Sequence, residues 1–170
     1  MNFIIQLSNP TIESEVPTAV SDFSEAIEAL FISNTEDAIL IWDNIPIRLN
    51  YKYDISVIVD DLVPLLEQLS SNSEQGNHVI YFASSSFSTE WSLEWVNSLL
   101  KINSRWYTIV GNYEELLNEH GTIELTINEF LGEWKPLLQK LFNLVRRHHI
   151  KLEDPYTFKR LSKVTKNFKG

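Results

Sequence analysis

Apolar residues recur along this chain with two different periods in irregular succession, and this limits the fold more than any other feature. The longest regular run is helical. Ile55, Ile58, Val59, Leu62, Leu65, Leu66 and Leu69 keep helical spacing without a fault, while Asp60, Asp61, Pro64, Glu67 and Gln68 fill the opposite face. Asp54 stands where a cap is needed, and Pro64 predicts a kink or a break in two. The same spacing predicts a helix after Ser21 or Asp22, with Phe23, Ala26, Ile27, Leu30 and Phe31 as its buried stripe. A short helix is expected over 113–120. A long one follows Thr126, whose Thr-Ile-Asn-Glu start matches a capping box closed by Glu129. Its stripe is Ile127, Phe130, Leu131, Trp134, Leu137, Leu138, Leu141 and Val145, with Gly132 and Pro136 expected to weaken or bend the first half.

Between these lie short β-prone runs. Phe3–Leu7 and Ala38–Trp42 read as strands, and Asp43-Asn44 as a turn into the alternating Ile45-Pro46-Ile47-Arg48-Leu49. Pro46 cannot donate to a ladder, so that strand belongs at an edge, where a partner can add a strand of its own. Ser70–Asn77 reads as a loop, 78–82 as a buried strand and 122–125 as another. Trp91, Leu93 and Trp95 alternate with Ser92 and Glu94 as in a half-exposed strand. The rival is a helix over 88–101 with Trp91, Trp95, Leu99 and Ile102 on one face. The strand is preferred because the β-prone 105–110 can pair with it across a turn at Asn103-Ser104. Gly111-Asn112 is a further turn. This succession favours an α+β single domain, a mainly antiparallel sheet with helices packed on one face, over a doubly wound parallel sheet. Residues 1–150 are assigned to that domain, and 151–170 to a basic C-terminal extension. There Tyr156, Phe158, Leu161 and Val164 support a short amphipathic turn at best.

Charge is segregated along the chain. Residues 1–134 carry 21 carboxylates against Arg48, Lys52, Lys101 and Arg105, a net of −17. Residues 135–170 carry ten Lys and Arg against Glu153 and Asp154, a net of +8. An acidic body repels nucleic acid and speeds the approach of cationic partners. The basic segment (Lys159, Arg160, Lys163, Lys166, Lys169) can touch RNA, but disorder or docking on the protein's own acidic face is the better expectation. With no cysteine in the sequence, disulfides, thiolate zinc sites and a Cys nucleophile are excluded. The opening residues lack a secretory signal pattern, and the apolar runs fall short of the roughly 20 residues that span a bilayer. A cytoplasmic location is expected, without membrane partners.

The chain holds no phosphate-binding glycine loop, no Gly-x-Ser-x-Gly elbow, no HExxH and no EF-hand pattern. His148 and His149 are adjacent and diverge by about 100° on a helix; His78 and His120 are solitary. Ser84-Ser85-Ser86 has no base nearby and reads as a strand end. No catalytic residue, metal or cofactor is therefore expected. Of the aromatics, Trp42, Trp106 and Trp134 read as core. Trp91 and Trp95, beside Glu90 and Glu94, are either core or a partly exposed patch suited to Lys or Arg. The candidate partner-binding carboxylates are Asp60, Asp61 and Glu67, Glu90 and Glu94, and Glu114, Glu115 and Glu119.

The stretch from Trp42 through Asp43-Asn44-Ile45-Pro46-Ile47-Arg48-Leu49-Asn50-Tyr51-Lys52-Tyr53-Asp54-Ile55-Ser56, running into Asp60-Asp61, resembles immunity proteins of bacterial contact-dependent growth inhibition and related polymorphic toxin systems. The segment Glu129-Phe130-Leu131-x-Glu133-Trp134 is similar in character. The resemblance implies a small, acidic, cytoplasmic inhibitor of one cognate toxin domain, often a nuclease. The family is diverse in fold, so no inhibitory residue carries over by position. Asp60 and Asp61 are nominated from helix geometry. The alternative is a non-catalytic adaptor or assembly protein for a basic partner.

Overall fold

The computed structural model describes residues 2–71 and 74–167. Its aromatic core joins two antiparallel sheets. The smaller contains β1 (Phe3–Gln6), β3 (Ala38–Trp42) and β4 (Ile45–Leu49), in the order β1-β3-β4. The larger is a meander of β5 (Gln75–Ala83), β6 (Phe87–Val96), β7 (Leu99–Ile109) and β8 (Thr122–Thr126). The two-residue strands β2 (Ala19–Val20) and β9 (Lys151–Leu152) pair in parallel. Trp42 of the smaller sheet lies 5.2 Å from Trp91 and 5.3 Å from Trp106 of the larger, ring centre to ring centre. Phe3 reaches Phe130 at 5.1 Å. The α+β class and the mainly antiparallel pairing are as expected.

Local chemistry accounts for most of the elements. Asp22 caps α1 (Phe23–Leu30) by accepting from the Glu25 amide. The tight turn from β3 to β4 is possible because Asp43 and Asn44 both take positive φ, 43° and 67°. Thr126 and Glu129 form the reciprocal capping box that starts α4 (Ile127–Arg147). Pro64 and Pro136 both lie inside helices that continue past them. In each case the carbonyl four residues earlier belongs to an exposed residue, Asp60 or Gly132, so water can replace the lost bond.

Four expectations require correction. Asp54 does not cap α2 (Ser56–Leu69). Asn50 does the capping, and the chain enters through a π-helical turn at Tyr51–Ile55 that turns Asp54 into the interior. The Asp54 carboxylate accepts from the Asn50 amide (2.8 Å) and from the hydroxyls of Ser84 and Ser86, tying the β5–β6 turn to the start of α2. The β6–β7 turn is Asn97-Ser98, where Asn97 takes φ 55°, and Asn103-Ser104 lie within β7. Their polar groups are satisfied toward β8: the Ser104 hydroxyl donates to the Gly121 carbonyl and the Thr122 hydroxyl to the Asn103 side chain. Next, β5 begins at Gln75 inside the expected loop, of which Asn72 and Ser73 lie outside the described residues. Gly76 allows this, since a Cβ there would come within 2.2 Å of the Trp95 ring. Residues 156–167 form a 12-residue helix, α5, not a single turn. Leu161 and Val164 are buried in the common core and Phe158 stacks on Phe142 at 4.6 Å, whereas Tyr156, expected in the apolar stripe, is exposed. Of the two readings of Trp91 and Trp95 the core holds: both are buried, and the aromatic–acidic surface patch does not form. Strand alternation sends the tryptophans inward and Glu90 and Glu94 outward.

Candidate functional site

The carboxylates nominated from the sequence divide among three surfaces. Two of the three on α2, Asp60 and Glu67, are met by α5. Arg160 forms an ion pair with Glu67, and the Thr157 hydroxyl donates to Asp60 (2.7 Å). Glu67 is thus neutralised within the molecule, which withdraws it from a free acidic face. The same contact satisfies the expectation that the basic segment docks on the protein's own acids. Lys159 and Lys163 remain exposed on α5, while Lys169 and the Lys166 side chain lie outside the described residues.

Around Asp60 the acids do converge. Burial raises its pKa above the ordinary aspartate value and the bond from Thr157 opposes this. Nearby negative charge on Asp22, Asp61 and Asp154 raises it further. Three stretches of chain meet there: the start of α1, the outer face of α2, and the turn leading into α5. Asp22 and Asp154 have local work, accepting from the Glu25 and Tyr156 amides at the starts of α1 and α5. Asp60 and Asp61 lie in mid-helix and start nothing.

The second group lies on the outer face of the β5–β8 sheet. Glu90 stands opposite Arg105 and Glu94 opposite Lys101 in the β6–β7 register, with Glu124 beyond Lys101 on β8. Rows of alternating sign make that face mixed in charge. It also carries aromatic residues. Tyr81 packs edge-on to Tyr107 at 5.9 Å, and the Arg105 guanidinium lies 5.4 Å from the Tyr107 ring centre. Their signal was the odd numbering of Tyr81 within β5, legible only once that strand's inward residues are known.

The third group is on α3 (Glu114–Glu119). Glu115 and Glu119 are exposed, whereas Glu114 accepts from the Ile109 amide and serves the fold. Asn118, also unforeseen, uses its carboxamide to bond both backbone groups of Trp106 (2.8 and 3.0 Å), standing in for a strand where β8 ends. His120 pairs with Asp43 at 2.7 Å and is not part of a ligand cluster. Among the described residues no three His, Asp or Glu side chains gather as metal ligands, and no helix is long and apolar enough to cross a membrane.

Neither a protein-family model nor a curated protein nor a solved structure matches the chain.

Proposed function

We propose that this chain works by binding another macromolecule. Within that class, its role is to neutralise a cationic protein domain by one-to-one docking, as an immunity protein does for its toxin. The observation that carries this reading is the gathering of Asp22, Asp60, Asp61 and Asp154, where burial first, and the neighbouring negative charge in addition, raise the pKa of Asp60. Like charges held together cost stability, and an incoming Lys or Arg relieves that cost at the moment of contact. In a nuclease, the matching surface is the substrate cleft, where carboxylates take the place of phosphates. Glu115 and Glu119 add exposed negative charge elsewhere on the surface.

The test is co-expression with a panel of cationic toxin domains, scoring growth. Rescue from one toxin and loss of that rescue in the Asp60→Asn, Asp61→Asn double variant is the expected result. Association with that toxin should slow steeply as salt rises while dissociation changes little. Rescue that survives the double variant, with salt-independent association, defeats the acidic docking mechanism. Failure of every toxin in the panel favours the second reading, an adaptor for a basic partner. The Tyr81, Tyr107 and Arg105 cluster supports that alternative, since Tyr and Arg dominate the energetic centres of protein interfaces.

A further inference from the structure

A sheet edge is a row of backbone donors and acceptors that a cap, water or another chain must satisfy. Both edges of the smaller sheet are blunted. The Asp43 amide bonds the Asn2 carbonyl, so β1 turns its odd-numbered residues outward, and the Glu133 carboxylate of α4 accepts from the Ile5 amide (2.9 Å). β4 turns Pro46 outward, which has no amide, and the Tyr113 hydroxyl donates to its carbonyl (2.6 Å). At the far edge of the larger sheet β8 is short, and its outward Thr126 amide is held by Glu129 (2.7 Å). Beyond β8, Asn118 covers Trp106.

No bond of this kind caps β5 among the described residues, although α2 packs against the strand. The Asn97 amide bonds the Glu74 carbonyl and the Ser84 amide bonds the Phe87 carbonyl, which fixes the alternation. Even-numbered residues face β6; Gln75, Asn77, Val79, Tyr81 and Ala83 turn their N–H and C=O groups away from the sheet. Among the described residues nothing bonds those groups. The nine residues Gln75–Ala83 include no proline and no Asp, Glu, Lys or Arg, and their register against β6 is unbroken. Val79 and Tyr81 are 63% and 51% exposed.

We propose that β5 pairs antiparallel with β5 of a second copy, about a two-fold axis through Val79, joining two four-stranded sheets into one. Symmetry selects the register. Outward-bonding residues must meet one another, and only an axis through Val79, the middle of the strand, pairs all five of them. Val79 then faces Val79, Asn77 faces Tyr81 and Gln75 faces Ala83, with about ten new backbone hydrogen bonds in the antiparallel pattern. No opposed pair carries a charge. Glu90 and the other copy's Glu94 fall in one row three strand spacings apart, ~14 Å, beyond the ~8 Å screening length at physiological salt. A strand from a cationic partner would find no carboxylate on β5, whereas an identical strand meets a pattern that matches itself. One added strand buries less than a standard interface, so the dimer is weak, with a Kd of roughly 10–100 µM.

The absence of cysteine provides a clean test. In the proposed register the two Val79 Cα atoms lie ~5.5 Å apart, within disulfide reach. Val79→Cys should form a covalent dimer under mild oxidation, and Leu99→Cys, equally exposed on the same face, should not. Wild type should show concentration-dependent dimer by sedimentation equilibrium. Val79→Pro should be monomeric with an unchanged melting curve, because the Val79 amide bonds nothing within the chain. If Val79→Pro fails to fold, Val79→Lys takes its place. A wild type monomeric at ~1 mM, a Val79→Pro variant that dimerises normally, or equal cross-linking through Leu99→Cys each overturns the proposal. A monomeric wild type that loses binding to a foreign protein on Val79→Pro assigns the edge to that protein and overturns it equally.

Discussion

Trp42 and Trp91 sit ring against ring at the centre of the core but differ in one hydrogen bond. The Trp42 indole N–H donates to the His120 carbonyl (2.8 Å), while that of Trp91 has no acceptor among the described residues. Replacement by Phe removes similar volume at both sites, but at Trp42 it also strands a carbonyl, and at Trp91 it removes a donor that was already unpaired. Trp42→Phe should therefore cost more than Trp91→Phe by about 1–2 kcal/mol in urea unfolding. Asp60 offers a test of opposite sign. Its folded-state pKa is raised, so the native state holds its proton to higher pH than the unfolded chain, and stability falls as pH climbs between the two values. Asp60→Asn should stabilise the protein at neutral pH by a few tenths of a kcal/mol, reduced by its partial exposure, and should do nothing at pH below the ordinary aspartate range. Residue roles were legible where the partners are local. The Thr126–Glu129 box closes within four positions, whereas the partners of Asp54 are distant serines that only the β5–β6 turn brings near.

Among the elements, α5 departs furthest from what its composition suggested. Its basic residues dominate the sequence pattern, and its few apolar ones become a face only when Phe142 and Phe23 are already in place. Leu161→Ala should lower global stability by about 2–4 kcal/mol in a single cooperative transition, as for any core leucine. A loss under about 0.5 kcal/mol would mark α5 as a loosely held appendage. The long amphipathic helices were legible because periodicity is a local property. The position of the β6–β7 turn was not, because Asn97-Ser98 and Asn103-Ser104 are chemically near-equivalent turn candidates. Pairing with β8 selects between them, by satisfying the polar groups of the second pair across the sheet.

At the scale of the molecule, the sequence showed that acids and bases separate along the chain but not how they fold back on each other. α5 returns the basic segment to α2, so part of the separation is cancelled within the protein and the surplus is redistributed to the Asp22–Asp61 neighbourhood and to α3. The parallel pairing of β2 with β9 has a temporal consequence. Residues near position 20 are held by residues near 151, and the latter are synthesised only after both sheets and four helices exist. Until the stretch that follows them arrives, Phe23 of α1 lacks its partner Phe158 and Glu67 of α2 lacks Arg160. A nascent chain that stops short of residue 151 should therefore be cut by protease faster than one that has passed residue 167, as a drawstring holds nothing until it is threaded.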